Sequence, residues 1–126
     1  MDISHLLFTT SHEWVEIEGE VATVGITQFA VDQLTDVTHL ELPKVGTTVN
    51  QLQRFGEIES VKAVFDLNCP VAGTVMAKNE AVENDPALIN EDPYRKGWMI
   101  RVKLSGDVDK SKLLDLKTYE EQLASH

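Results

Sequence analysis

The sequence is short of cysteine and of basic residues, and each shortage excludes classes of protein. Its one cysteine, Cys69, cannot form an internal disulfide or make a zinc site alone, so we expect a small buried hydrophobic residue. Eleven Lys and Arg stand against 21 Asp and Glu, which gives a formal net charge of −10. This charge repels phosphate groups and argues against nucleic-acid and membrane-surface partners.

Long apolar runs are also missing from the sequence. No window is long enough to span a bilayer, and residues 1–7 lack the basic and apolar regions of a secretory signal. We therefore expect the protein to stay in the compartment where it is made.

Patterns typical of catalytic sites are absent as well. The glycines stand singly, so no loop offers the consecutive amides that cradle phosphate, and no serine lies in a Gly-x-Ser-x-Gly elbow. Glu57 and Glu59 would share one strand face, which is more typical of a solvated face than of an acid–base pair. The dispersed histidines lack the spacing of metal ligands; they are His5, His12, His39 and His126. We expect neither catalytic residues nor a metal site.

What the sequence has is short apolar alternation interrupted by turn residues. With 126 residues, 42% of them hydrophobic, it predicts a single domain over 1–126 that is a small all-β sandwich or barrel. Segments 14–17 and 21–24 flank Glu18-Gly19-Glu20 and predict an early hairpin. In segment 98–104 the even-numbered residues are apolar, whereas Arg101 and Lys103 face the other way, which predicts a half-buried strand.

Helices are minor in this interpretation. Thr27 is a candidate N-cap for a short helix over 28–34, in which Phe29, Ala30, Gln33 and Leu34 share a face. The segment 118–121 matches a capping box, and Tyr119 and Leu123 stand at i,i+4, which predicts a C-terminal helix. Segment 84–93 is expected to be a polar connection.

Lys62 falls between two alternating segments, 57–61 and 64–67, which predict a hairpin with this lysine at its tip. An amine on a tight turn is accessible to a modifying enzyme, and the flanking strands hold it in a reproducible place. Most exposed lysines, however, only solvate the surface. The pattern therefore nominates Lys62 without assigning its role.

The string Glu59-Ser60-Val61-Lys62-Ala63 resembles the lipoylation motif of glycine cleavage system H proteins, in which the lysine carries lipoic acid as an amide. Further segments resemble the same family and stand in the family's order, and together they cover roughly residues 8 to 104. They are residues 11–15, 24–27, 41–46, 70–73 and 90–98.

The resemblance implies an all-β barrel-sandwich hybrid of two antiparallel sheets, similar to lipoyl and biotinyl domains, with the lipoyl lysine on an exposed hairpin. It also implies a non-catalytic carrier that shuttles the aminomethyl group of glycine from a pyridoxal-phosphate glycine decarboxylase to a tetrahydrofolate-dependent aminomethyltransferase. Dihydrolipoyl dehydrogenase would then take the reducing equivalents, and a lipoyl-attaching enzyme would load Lys62. The implied location is the bacterial cytoplasm, or the mitochondrial matrix for a processed organellar chain.

A cleft for the lipoyl arm is a further implication of the resemblance. It would lie near Ser11, Glu13 and Asp66, whose hydroxyl and carboxylates can accept hydrogen bonds from an ammonium on the arm. The alternative is that Ser11 and Glu13 only cap or solvate the first hairpin and that Asp66 is an exposed strand residue. Gln33 stands where some relatives would carry a more basic side chain.

Three other functions stay open at this point. A biotin carrier is disfavoured, because Val61 and Ala63 flank Lys62 where methionines are usual. A lipoyl relay protein, which donates its lipoyl group to other enzymes, shares the same scaffold and lysine. An unmodified β-sandwich interaction module would leave Lys62 as an ordinary surface residue.

Overall fold

The computed structural model describes residues 3–124, which contain nine strands and four short helices. The strands are β1 (Leu7–Phe8), β2 (Glu13–Glu18), β3 (Val21–Ile26), β4 (Val37–Glu41), β5 (Thr48–Val49), β6 (Arg54–Ser60), β7 (Val64–Asn68), β8 (Gly73–Lys78) and β9 (Ile100–Leu104). The helices are α1 (Gln28–Leu34), α2 (Glu80–Asn84), α3 (Ala87–Glu91) and α4 (Leu116–Ala124), with a 3₁₀ turn at Lys110–Lys112.

The strands form two antiparallel sheets. The larger has the order β1-β2-β3-β9-β8-β5 and the smaller has the order β4-β6-β7. One apolar cluster includes buried residues of both, such as Val24 and Val102 from the larger sheet and Ile58 and Leu67 from the smaller. This arrangement confirms the predicted all-β barrel-sandwich of two antiparallel sheets.

The alternation of apolar residues predicted an early hairpin and a half-buried strand, and both can be compared with the structure. The early hairpin is β2 and β3, which turn at Gly19 with a φ of 63°. In β9, Ile100 and Val102 are fully buried, whereas Arg101 and Lys103 are exposed. The hairpin prediction is confirmed, and the strand prediction is confirmed for residues 100–104, because each strand buries one face against the shared core. Residues 98 and 99 lie before the strand, and Met99 is fully buried.

Helix α1 begins where the sequence predicted, since the Thr27 hydroxyl accepts a hydrogen bond from the Ala30 amide at 3.3 Å. Its buried residues are Val31 and Leu34. The predicted face is only partly packed, because Phe29, Ala30 and Gln33 line a cavity, although Ala30 also packs against the core.

The C-terminal helix is present, but the capping-box interpretation of residues 118–121 was wrong. The helix begins at Leu116, and the Asp115 carboxylate accepts a hydrogen bond from the Thr118 amide at 2.8 Å. Asp115 therefore provides the cap, and Thr118 lies within the first turn.

The expectation of a plain polar connection over 84–93 was also wrong. Helix α3 lies within this segment. Helix α2, whose N-cap is the Asn79 side chain, ends at Asn84, the first residue of the segment. Each helix buries one apolar residue, Val82 or Ile89. Five residues make less than two turns, so no helical period was visible in the sequence.

Cys69 is fully buried, as predicted, and burial raises the pKa of its thiol to about 11. Among residues 3–124 there is no group of three or more His, Cys, Asp or Glu placed to hold a metal ion. His126 lies outside the described residues. None of the helices within that range is long and apolar enough to cross a membrane.

A side chain at Gly73 should disrupt the β8–β9 pairing. A Cβ there would overlap the Lys103 carbonyl oxygen and approach Val102 Cγ1 to 2.7 Å. We expect Gly73→Ala to lower the free energy of unfolding by about 3 kcal/mol, because backbone must move to make room. Gly106→Ala is the control, since nothing lies within 4 Å of its Cβ. Urea unfolding measures both, and equal midpoints would contradict the expectation.

Candidate functional site

Lys62 lies exposed at the tip of the hairpin formed by β6 and β7. The last regular pair of this hairpin is Glu59 with Val64, and beyond it the Ser60 amide donates to the Ala63 carbonyl at 2.8 Å. Only Val61 and Lys62 remain outside the ladder. The two strands thus hold the backbone of Lys62 while its side chain extends from the protein.

The tip is closed by a side chain, which sequence reasoning missed. Ser60 Oγ accepts hydrogen bonds from the Lys62 and Ala63 amides, both at 3.1 Å. Two-residue hairpin loops normally need positive φ, which suits glycine or asparagine, but the tip residues are not among the described residues with positive φ. The serine hydroxyl takes over the acceptor role and lets a β-branched residue, Val61, occupy the turn. A serine just before a turn was the available signal.

The loop between α1 and β4, together with the start of β4, supports the tip from one side. The Asp36 carbonyl accepts a hydrogen bond from the Val61 amide at 3.2 Å, and Thr38 Oγ1 donates to the Glu59 carbonyl at the same distance. Around the lysine, Val61, Val64 and Phe65 are each about half exposed or more. The lysine therefore stands on a braced tip with apolar surface beside it.

A cavity of about 700 Å³ lies near this hairpin. Its lining includes all three predicted cleft residues, Ser11, Glu13 and Asp66, together with Gln33. Lys62 is not one of the lining residues. The apolar wall of the cavity includes Phe29, Ala30, Leu34, Phe65 and Leu123.

Glu13 is 1% exposed, so it does not solvate the first hairpin. Its Oε1 accepts hydrogen bonds from the hydroxyls of Thr9 and Ser11, and its Oε2 accepts one from the Asn68 amide at 3.1 Å. Burial raises the pKa of the Glu13 carboxyl, and the three hydrogen bonds oppose that rise only in part. The carboxylate joins β2 of the larger sheet to β7 of the smaller one.

Asp66 is the more accessible carboxylate of the cavity. Its side chain is 63% exposed and forms an ion pair with Arg54 Nε at 2.9 Å. The hydrogen bond to Asp66 raises the pKa of the Arg54 guanidinium. Asp66 is thus an exposed strand residue and a cavity residue at once, so the two interpretations of it do not exclude each other.

Helix α4 closes one side of the cavity through Leu123 and is anchored by Tyr119. The Tyr119 ring stacks on Phe8 at 4.6 Å, and its hydroxyl lies 2.7 Å from Thr27 Oγ1 and 2.9 Å from His12 Nδ1. Burial raises the pKa of Tyr119 to about 12, so it stays neutral. The sequence predicted the helix but not this anchor.

Comparisons with known proteins point to one protein family. A family model described as glycine cleavage H-protein matches residues 6–126. A glycine cleavage system H protein of Nitratidesulfovibrio vulgaris is 50% identical over 119 residues, which are 94% of this chain and 92% of that protein.

The chain belongs to the glycine cleavage H-protein family.

Other members of the H-protein family show its range. Glycine cleavage system H protein 2, mitochondrial, of Arabidopsis thaliana is 46% identical and is covered over 82% of its length, with 98% of this chain aligned. A crystal structure of a glycine cleavage system H protein from Mycobacterium marinum superposes with a TM-score of 0.90 at 36% identity, covering 98% of this chain and 99% of that one. The resemblance drawn from the sequence motifs is confirmed.

The buried carboxyl of Glu13 predicts a pH dependence of stability. Because its folded-state pKa lies above that of an unfolded glutamate, the unfolded chain releases the proton first, and stability falls as pH rises through this interval. We expect the free energy of unfolding of the wild type, relative to Glu13→Gln, to fall as pH rises above the ordinary glutamate pKa of 4.5.

Glu13→Gln is a matched change because the amide can still accept from Asn68 and donate to the two hydroxyls. Urea unfolding of both proteins across the pH range measures the difference. A difference that stays flat or rises with pH would contradict the assignment.

Proposed function

We propose that the protein is a non-catalytic lipoyl carrier of the glycine cleavage system and that Lys62 is the attachment site. The observation that carries the proposal is an exposed lysine on a braced two-residue tip in a chain of the H-protein family. When bound, the lipoyl group would supply a disulfide that accepts the aminomethyl group of glycine and is afterwards restored by oxidation. The whole chain, residues 1–126, would act as one carrier domain.

The residues at the tip fit an amide-linked group. Lys62 is exposed, and the Ser60 hydroxyl fixes the backbone by accepting hydrogen bonds from the amides of Lys62 and Ala63. Asp66 follows four residues later, about 13 Å along an extended strand. A lysine that bears a lipoyl chain reaches roughly as far from its Cα. The cavity that Asp66 lines is therefore within reach of the tip.

Inside the cavity, the residues supply two kinds of contact. Phe29, Ala30 and Phe65 offer apolar surface, whereas Asp66 and Gln33 offer hydrogen-bond acceptors at exposed positions. We propose that Asp66 accepts from an ammonium group brought there and that the apolar wall limits access of water. Glu13 and Ser11 would act there mainly by shaping the cavity, since their hydrogen bonds already tie them together.

The proposed partners are glycine decarboxylase, the aminomethyltransferase, dihydrolipoyl dehydrogenase and a lipoyl-attaching enzyme. The net charge of −10 would favour encounter with basic patches on such proteins. Because the H-protein relatives include bacterial proteins and a mitochondrial one, we propose the bacterial cytoplasm or, for an organellar chain, the mitochondrial matrix.

Lys62 should be the only modified lysine in protein purified from a lipoate-replete host. We expect intact and peptide mass spectrometry to find one lipoyl adduct, confined to the peptide that contains Lys62. Lys62→Arg keeps the charge but removes the acceptor amine, so it should carry no adduct. Lys44→Arg, at another exposed lysine, should be modified like the wild type.

An unmodified Lys62 in the presence of a competent attaching enzyme would overturn the carrier proposal and favour an interaction module. An adduct that moves to another lysine in Lys62→Arg would show that the tip does not select the site.

The cavity should shelter the arm between encounters. Ala30→Phe would fill it from α1, so we expect the reduced arm of that variant to be alkylated by a soluble maleimide about threefold faster or more. Ala87→Phe, at an exposed position of α3, is the matched control and should react like the wild type. Equal rates for all three proteins would show that the arm does not rest in this cavity.

A further inference from the structure

We infer that Asn90, on α3, is a positioning residue for Lys62. It holds a strained corner of the chain, and a carbonyl at that corner fixes the tip that carries the lysine. The inference rests on the proposed function for its consequence, but its structural part can be tested on the unmodified protein.

The corner lies between α1 and β4. Helix α1 ends at Leu34, and Thr35 then adopts a φ of 59° and a ψ of −131°. This is a left-handed region that favours glycine and disfavours a β-branched residue such as threonine. A threonine keeps this conformation only where surrounding contacts impose it.

Asn90 supplies those contacts on both sides of Asp36. Its Nδ2 donates to the Thr35 carbonyl at 2.5 Å, and its Oδ1 accepts from the Val37 amide at 3.0 Å. A side-chain amide carries the donor and the acceptor that this pair of backbone groups requires. The side chain therefore bridges the residues before and after Asp36 and fixes the peptide between them.

The fixed peptide is the one that meets the tip. The Asp36 carbonyl accepts from the Val61 amide, the residue directly before Lys62. On the opposite side the tip is closed by Ser60 Oγ, which accepts from the Lys62 and Ala63 amides. Two independent supports thus hold the lysine backbone, one within the hairpin and one that leads to α3.

The same corner is the end of α1, whose residues Phe29, Ala30 and Gln33 line the cavity. Asn90 therefore sets the position of the tip relative to the cavity wall. A loosened corner would leave Lys62 exposed and chemically unchanged. The tip, however, would have to become ordered again each time an enzyme binds it. That cost weakens binding of the tip and leaves the chemical step as it was.

The first experiment uses the full unmodified chain and three variants of it. Asn90→Ala removes both hydrogen bonds, and Asn90→Asp keeps the acceptor but sets a carboxylate oxygen against the Thr35 carbonyl. Asn84→Ala, at an exposed asparagine of α2, is the matched control. We expect hydrogen exchange at the Val61 amide to become about fivefold to tenfold faster in both Asn90 variants, with core amides such as that of Val102 unchanged.

Lipoyl attachment by a purified attaching enzyme supplies the second measurement. We expect a KM several-fold higher for both Asn90 variants and a kcat within about twofold of the wild type. Ser60→Ala, which loosens the tip from the other side, should show the same pattern. Exchange that accelerates equally at Val61 and in the core would reduce Asn90 to a general stabilising residue and overturn the inference.

Thr35→Gly tests the route through the corner. Glycine adopts this conformation without strain, and the Thr35 side chain is exposed, so little packing is lost. In that background Asn90→Ala should accelerate Val61 exchange less than it does in the wild type. An equal acceleration in both backgrounds would show that Asn90 does not act through Thr35. If the wild type accepts no lipoyl group but the exchange results hold, the proposed function fails while the positioning contact stands.

Discussion

The Glu13 carboxylate joins the two sheets beside the cavity, and much of the candidate site depends on this bridge. It brings together two hydroxyls from its own end of the larger sheet and the Asn68 amide from the smaller one. Burying a carboxylate costs free energy, and the three donors recover part of it only in one arrangement. An apolar residue would let the sheets approach in several ways. The carboxylate instead fixes one spacing, which leaves room for the cavity.

Alternation of apolar residues was enough to predict an all-β domain, the first hairpin and the position of Lys62, because a strand that buries one face must repeat with period two. The division into two antiparallel sheets was implied by the family resemblance. The five-residue helices α2 and α3 were not visible, because they are too short to show a helical period. The roles of Ser60 and Asn90 were missed for another reason. Each acts through hydrogen bonds to backbone groups. For Ser60 the only signal was a serine before a turn, and the bonds of Asn90 reach residues more than fifty positions away in the sequence.

The predicted cleft residues illustrate the same limit. Family motifs placed Ser11, Glu13 and Asp66 together, and they do line one cavity. The sequence could not tell that Glu13 is almost fully buried while Asp66 is mostly exposed and paired with Arg54. Burial and pairing depend on which segments fold over a residue. They separate a carboxylate that shapes the cavity from one that can meet a ligand.

The burial of Cys69 has a consequence for a carrier whose proposed chemistry takes place on two sulfur atoms. Thiolates, not thiols, attack disulfides, and a pKa of about 11 leaves only about one molecule in ten thousand as thiolate at neutral pH. The thiol also has no exposed surface from which to react. The only thiol of the polypeptide is therefore insulated from disulfide exchange, and a carrier loaded as proposed would be protected from forming a mixed disulfide with itself.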